Sequence, residues 1–546
     1  LKKVLFAAFL IQTILFAQPE PVNSDHTVYF FLRKTSVAGY LPGYDDAILP
    51  KSRSEIKHHL EILKGKRDRL PETFKEELDL FTEMFLTVPE AGGSQSTELL
   101  LSRSPVHLFD FKGPNYDASI DPLFEVKFHG TRDDGFTGKN ASYMRYGGYV
   151  RFNYSDWFSA YMMAWNGNTY GARAVNALDP VVAQKFTFRK TGLAYFDGTE
   201  GGFFVEKDIF AVSIARNRVL WGENFYNRDK ISGASQLFDR LSFSIKSGAF
   251  SYDYMHAWLV TPQIITPGNV ITGDLKSKTS KYTVQNRLSY AFSERFRLSV
   301  WQAVIYAGRS PELGYLNPFL FWESAQRSLD DLDNSFLGID ARYRPVNGVE
   351  LTASLLFDDI NFKYWTPGNF QRFNNRFAFN GGLVYIPSFA PPLTLSASYY
   401  FVRPYTFSHP GAGEDLAYLN NSFPLGLDVK PNSDMINLRI DWQVIAPLKL
   451  SFDLKHVRHG ENTYDNQGNV VENHGGSFFM STNALSNEDA WFLAGEFQNT
   501  TTAAISLHLT TGANTFVKAG YVMTKANHTA EFPESYFFLS ASFLYF

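Results

Sequence analysis

Cysteine is absent from the 546-residue chain, which excludes disulfides, thiolate metal sites, cysteine catalysis and a lipid-modified N-terminal cysteine. An excess of charge of one sign is missing too. Lys and Arg number 51 against 55 Asp and Glu, a formal net charge of −4, so neither a nucleic-acid surface nor a strongly acidic tail is indicated. Past the first segment no run of about eighteen apolar residues occurs, so any membrane embedding must be by strands rather than helices. There is also no Gly-rich phosphate loop, no G-x-S-x-G elbow and no H-E-x-x-H. With no placed nucleophile and base, an enzyme is not expected, and no cofactor or metal is called for.

What the chain has instead is aromatic residues and alternation. Aromatics make up 16% of it, with 51 Phe and 29 Tyr, a proportion suited to lipid-facing and interfacial belts. Mean hydropathy is nevertheless −0.20, where a helical membrane protein of this size would be clearly positive. A barrel strand reconciles the two, because only every second residue faces lipid. Ile436, Leu438, Ile440, Trp442 and Val444 alternate with Asn437, Arg439, Asp441 and Gln443. Pro447 marks a turn, and Leu448, Leu450, Phe452 and Leu454 then alternate with Lys449, Ser451, Asp453 and Lys455. That is a hairpin with one greasy and one charged face. Tyr146 to Tyr154, Phe296 to Val300, Leu337 to Tyr343, Val349 to Phe357 and Leu393 to Phe401 read the same way. Four or five apolar positions in succession need about ten residues, the length of a tilted membrane strand and longer than a sandwich strand needs. The chain ends in the aromatic run Tyr536 to Phe546, which resembles the C-terminal signal of outer-membrane barrels, although Phe543 and Tyr545 fall on the face opposite Phe546. At about 24 residues per strand and connection, the chain after the first hundred residues predicts about 18 strands. The expected fold is all-β and transmembrane: a large closed antiparallel outer-membrane β-barrel with a small N-terminal periplasmic helical segment.

The N-terminal region differs. Lys2 and Lys3 precede the apolar stretch Val4 to Phe16, and Ala17 before Gln18 is a cleavage site of the expected kind, so residues 1–17 read as a signal peptide. Residues 18–110 read as a periplasmic segment and 111–546 as the barrel. Thr27 to Leu32 is predicted to be a short strand. Ser52-Arg-Ser-Glu55 is a capping box ahead of Ile56, Leu60 and Leu63, and Pro71 opens a second helix carrying Phe74, Leu78, Phe81 and Phe85. This helical hairpin cannot bury itself alone. It is expected to pack on the periplasmic mouth, outside the barrel. Glu90 to Thr97 is a Gly/Ser-rich linker.

The charged interior is the main chemical feature. Arg145, Arg151 and Asn153 share one face, Asp340, Arg342 and Arg344 another, and Arg439 and Asp441 a third. Such residues either pair across a wet, rigid lumen or line a glycan or ion path, and both readings stay open. Asp330-Asp331-Leu-Asp333 lacks the glycine and terminal glutamate of an EF-hand and reads as a polar turn, as does Asp358-Asp359. His456 and His459 lie on a strand and point to opposite faces, so they are not a metal site. Trp165 to Tyr170 and Tyr364-Trp365 read as aromatic loops, with interfacial belts as the alternative.

Three blocks carry a resemblance. Arg218-Val-Leu-Trp221-Gly222 with Ser232 to Asp239, then Glu312 to Pro318 with Gln326, Asp333-Asn334 and Gly338 to Asp340, and finally Pro424 to Gly426 with Pro431 to Asp434, resemble in order and spacing the Wzi family of capsule-assembly outer-membrane proteins over residues 120 to 546. Trp221-Gly222-Glu223 departs from that pattern, which has a proline after Trp-Gly. The resemblance implies a monomeric barrel that binds exported capsular polysaccharide or exopolysaccharide without hydrolysing it. Its partners would be outer-membrane lipid, extracellular polysaccharide and, during biogenesis, the barrel-insertion machinery. Arg218, Trp221, Asn317, Gln326, Asp333, Asn334, Asp340 and Arg342 are the expected glycan-binding or lumen-plugging residues. Because Pro318 interrupts strand pairing, Phe319 to Leu332 is expected to fold inward and narrow the lumen, its carboxylates meeting Arg342 and Arg344. The competing function is a porin or export channel for small solutes or polymer.

Overall fold

The computed structural model describes residues 18–87, 102–133, 138–183, 195–262, 264–266, 275–328, 332–359, 375–410, 413–486, 491–528 and 533–543. The expected signal peptide, the Gly/Ser-rich linker, Tyr364-Trp365, Asp330-Asp331 and the last three residues lie outside them. Eighteen antiparallel strands close into one barrel, with one extra strand. The ring starts at Tyr116–Thr131 and ends at Ser535–Phe543, and these two strands pair with each other, Phe538 opposite His129. The extra strand, Phe109–Lys112, continues that seam by pairing with residues 117–120.

One mouth carries tight turns such as Ser155-Asp156 and Ala446-Pro447, and the other carries long connections, among them 217–238, 308–333, 403–432 and 462–495. Alternation sets the faces. Ile436, Leu438, Ile440 and Trp442 are exposed on the outer wall, while Arg439 sits opposite Asp453 on the inner one. The apolar belt is thus on the outside, as a lipid-embedded barrel requires. Among the described residues no helix is long and apolar enough to cross a membrane. In the last strand Phe537 and Leu539 are exposed on the outer wall, whereas Tyr536 and Phe538 share the inner face of Val522 and Gly520. Aromatics on both faces explain its poor alternation.

Trp165 to Tyr170 belongs to the strand Phe158–Gly171 rather than to a loop. His456 and His459 stand on opposite faces of Leu448–Glu461, and each bonds a hydroxyl, of Thr501 and Ser433 respectively, at 2.8 Å.

Three helices occupy the short-turn mouth: α1 (Thr27–Val37), α2 (Arg53–Lys64) and α3 (Glu72–Leu86). The Ser52 hydroxyl caps α2 by accepting from Glu55 N at 3.2 Å, and Pro71 stands just before α3. The expected strand at Thr27 to Leu32 is instead the first part of α1. Buried residues run almost all round this helix, Val28, Phe31, Leu32, Lys34 and Thr35 among them. The chain there has no amphipathic period to read, and its β-branched and aromatic content favours a strand locally. Tertiary burial overrides that preference.

Candidate functional site

The helical segment does not stay outside the barrel. Its connections reach into the lumen, where Glu20 meets Arg151 and Tyr149. Ile48 and Leu49 form a two-residue ladder with Trp221 and Leu220. Residues 217–238, a connection between strands at the far mouth, therefore dip down through the barrel to meet the N-terminal segment. Gly222 makes the meeting possible. Its φ is +141°, and a Cβ there would lie 2.9 Å from Asp229 Oδ1 and 3.1 Å from Arg228 Cα, so a side chain would push the loop open.

Where the two segments meet, buried charges from three parts of the chain interlock. Asp46 accepts from Arg33, from Arg342 at 3.1 Å and from Arg228 at 3.3 Å. Glu223 pairs with Arg287 and with Arg342 at 2.5 Å. Glu350 bonds Arg33 and Arg344, each at 2.8 Å. Lys230 bridges Asp229 at 2.8 Å and Asp340 at 3.0 Å, and Arg297 holds Asp45 at 2.7 Å. Six arginines and one lysine thus face six carboxylates, close to internal neutrality, so the cluster is a latch whose charges balance one another. Burial alone would raise the Asp46 carboxyl, but Arg33, Arg342 and Arg228 hold it well below the ordinary range. Desolvation makes such a network a weak source of net stability, yet losing one partner strands a buried charge.

Above the latch the lumen is apolar. Trp221, Ile231, Trp301, Phe336, Leu356, Tyr400, Phe407 and Tyr418 pack into one buried core. The connection 403–432 is fixed over it by Lys281, which donates to Ala417 O at 2.9 Å, and by Asn334, which donates to Leu416 O at 3.0 Å.

The opposite wall is different. Thr500, Thr502, Ala504 and Ser506 line the lumen side of Glu496–Thr510 and are all half-exposed, as are Asp453 and Lys455 across from them. Arg439 lies over the Tyr226 ring at 4.5 Å and Arg145 over Trp165 at 4.9 Å. Glu125 accepts from Arg145 at 2.7 Å, and Lys127 sits 5.0 Å from the Phe538 ring. At Arg145, Trp165 and Glu125 an aromatic face stands beside planar guanidinium and carboxylate groups, which supply stacking and paired hydrogen bonds.

The expected site residues fall into two groups. Trp221, Asp340 and Arg342 come together in the plug, Asn334 anchors the overlying loop, and Arg218 pairs with Asp25 of the N-terminal segment at 2.8 Å. Asn317, Gln326 and Asp333 are elsewhere. The segment around them lies on the outer wall of the barrel, where Asp333 takes Arg309 at 2.5 Å and Tyr315 at 2.6 Å. Described residues from Phe319 onward therefore do not fold inward. Strand pairing ends at Ala307, well before Pro318, so the proline does not interrupt it, and the aromatic faces of Tyr315 and Trp322 find partners on the outer wall. The partners of Arg342 and Arg344 are Asp46, Glu223 and Glu350. Sequence reading missed these three carboxylates as well as Arg287 and Lys230. For Glu223 and Lys230 the available signal is the concentration of charge between Trp221 and Ile231, where Glu223, Arg228, Asp229 and Lys230 stand close together.

No protein-family model matches the chain, and no curated protein matches it. Among solved structures, Wzi of Escherichia coli, described as an outer-membrane protein involved in group 1 capsule assembly and a carbohydrate-binding β-barrel, matches with a TM-score of 0.58 at 12% identity, over 96% of this chain and 99% of that one. A BenF-like porin from Pseudomonas fluorescens has a TM-score of 0.44 at 11% identity, over 78% of this chain and 97% of that one. OccAB2 of Acinetobacter baumannii has 0.46 at 11%, with the same coverage. In its fold, a closed 18-strand barrel with helices at the N-terminus, this chain is similar to Wzi over nearly its whole length.

Proposed function

We propose that this protein is a non-enzymatic outer-membrane barrel that holds capsular polysaccharide or exopolysaccharide at the cell surface. The observation that carries this reading is the asymmetry of the lumen. Helices, latch and apolar core fill it from the short-turn mouth upward, while the wall around Glu125, Arg145 and Trp165, toward the long-loop mouth, keeps half-exposed carboxylate, guanidinium and aromatic groups. A floor of this kind suits retention of a polymer and opposes passage of a solute. The barrel similar to this one is described as carbohydrate-binding, which agrees with the chemistry of the open wall. On this reading residues 1–17 are a leader, residues 18–110 face the periplasm, and the long loops face outward. The exposed Tyr464, Phe479 and Trp491 on the connection 462–495 then add stacking surfaces at the rim. The protein works as a monomer in outer-membrane lipid.

Two measurements test it together. Purified protein in planar bilayers is expected to conduct little, and cells lacking it are expected to shed glycan into the medium while still making it. Large steady single-channel currents combined with unchanged surface glycan would move the assignment to a porin.

A further inference from the structure

The segment Leu313–Arg327 does something the polysaccharide reading does not use. Two short helices, Leu313–Leu316 and Trp322–Arg327, lie flat against the outside of the barrel. Tyr315 and Trp322 are fully buried there against Tyr252, Tyr254, Tyr282, Val284, Val304 and Tyr306. All six belong to the outer face, because the residues between them, such as Met255, Arg287 and Ala303, point into the lumen core and latch.

The depth of this segment follows from the strand Phe296–Ala307. Its outward residues near the short turn, such as Val300, are exposed, and coverage begins at Gln302. Six tilted residues at about 2.5 Å of height each put that lower edge about 15 Å above the turn, inside an apolar belt about 25 Å tall. Irregular backbone is tolerated at such a depth only if its polar groups are satisfied by protein, and here they are. Tyr254 donates to Tyr315 O at 3.0 Å, Gln302 to Leu320 O at 2.9 Å, Asn286 to Pro318 O at 3.4 Å, and Tyr252 also to Pro318 O. The indole of Trp322 donates to Asn317 O at 3.3 Å, and its backbone N donates to Gln302 at 3.2 Å. The segment in turn covers Asn286 and Gln302, two amides that would otherwise face hydrocarbon. Its outer surface carries Leu313, 83% exposed, Phe319, 70%, and Phe321, 54%, with the exposed Ser324 and Arg327 on the second helix.

We propose that Leu313–Arg327 is a membrane-embedded clip whose partner is the acyl-chain layer of the leaflet on the long-loop side, entered by Leu313, Phe319, Leu320 and Phe321. The surface is continuous with the lipid-facing wall at Val300 and Ile339. Asn317, Gln326 and Asp333 are then staples of this clip rather than glycan contacts. The proposal rests on the barrel lying in a bilayer, and the test separates the two.

The absence of cysteine makes single-site labelling clean. Phe319→Cys and Phe321→Cys, with Val300→Cys as the wall reference and Asn466→Cys as the loop reference, are spin-labelled and reconstituted into lipid bilayers. Accessibility to oxygen and to a water-soluble nickel chelate is then read by electron paramagnetic resonance. Labels at 319 and 321 are expected to match position 300, with high oxygen and low nickel accessibility. A match to position 466 overturns the clip, and so does exclusion of both reagents, which would mean a protein covers it. Nickel accessibility at position 300 itself would remove the bilayer reading and the clip with it. Gln302→Leu, which deletes a donor and an acceptor under the clip, is expected to raise the mobility of the label at 319 but not at 300; unchanged mobility at 319 would also count against the proposal.

Discussion

Two stretches of the barrel wall obey the same alternation and carry different interiors. In the stretch built from residues 239–402, the inward side chains are buried and many are apolar: Met255, Ala257, Trp301, Ala303, Phe336, Leu356, Ala378 and Tyr400. In the stretch built from residues 433–543, the inward positions include Thr500, Thr502, Ser506, Asp453 and Lys455, all half-exposed. A strand that meets water inside needs polar residues on that face. A strand that meets the apolar core inside is apolar on both faces, as parallel strands are in soluble α/β cores, and one that meets the latch carries buried, paired charges such as Arg287, Asp340 and Arg342. The burial of the inner face, rather than its polarity, therefore reports what fills the barrel beside it.

This comparison is most directly broken at the latch. Arg342→Ala, in the sealed stretch, leaves Asp46 and Glu223 short of a buried partner and is expected to cost about 3–5 kcal/mol. Asp453→Ala, in the open stretch, removes a partner of Arg439 at 3.7 Å whose carboxylate is 28% exposed and is expected to cost about 0–1 kcal/mol. Denaturant unfolding of the two variants in lipid checks this, and equal losses would mean both stretches are equally wet. Next in size is the outer face. Leu438→Arg puts a charge into lipid at about 2–4 kcal/mol, whereas Arg439→Leu leaves the lipid face apolar and removes one of several partners of the buried Asp441, which Tyr226 and Ser451 still hold. Heat-modifiable gel mobility should show much less folded barrel for the first, and equal folding would reject the assigned faces.

Acid should act on the plugged mouth and spare the wall. Burial lowers the His26 imidazole to about 3, with Arg53 adding to the effect. Burial alone would raise Glu55, but Lys246 and Lys51 bring it down to about 2. Both folded values lie below the unfolded ones, so the undocked segment binds more protons and docking weakens as pH falls. The His26 contribution is complete above about pH 6.5 and fades toward pH 3, and that of Glu55 fades between about pH 4.5 and 2. Hydrogen exchange at pH 7 and pH 4 should show α1 to α3 losing protection while the strands keep theirs. The smallest effect expected is at the α2 cap. Ser52→Ala removes the acceptor for Glu55 N and costs about 1 kcal/mol, visible as faster exchange in the first turn of α2 alone.

Much of the fold is legible in the residues because a barrel writes its period into every strand. The hairpin around Pro447 and its lipid and lumen faces can be read from Ile436 to Lys455 directly, and Ser52 and Pro71 announce α2 and α3. The candidate site is harder, since an inward charge does not say what it will meet. Asp340 and Arg342 are identifiable as lumen residues, but their partners Lys230, Asp46 and Glu223 are 110 to 296 residues away along the chain. The segment after Pro318 illustrates the same limit. Pairing ends at Ala307, ahead of the proline, and whether the loop turns in or out depends on Tyr252, Tyr254 and Tyr306, aromatics of the outer wall that by themselves look like any interfacial belt.

The ladder between Ile48-Leu49 and Leu220-Trp221, and the bond from Arg33 to Glu350 across 317 residues, have a kinetic consequence. The N-terminal helices are synthesised first, but the groups that lock them come later in the chain. Contacts of such long sequence separation are closed at a high entropic cost and form slowly. The helices must wait, partly solvated and with Arg33 and Asp46 unengaged, until the ring strands that carry Arg287, Arg342 and Glu350 are in register. Sealing is then the final step of assembly, and a barrel that stalls before it is left with an unplugged lumen.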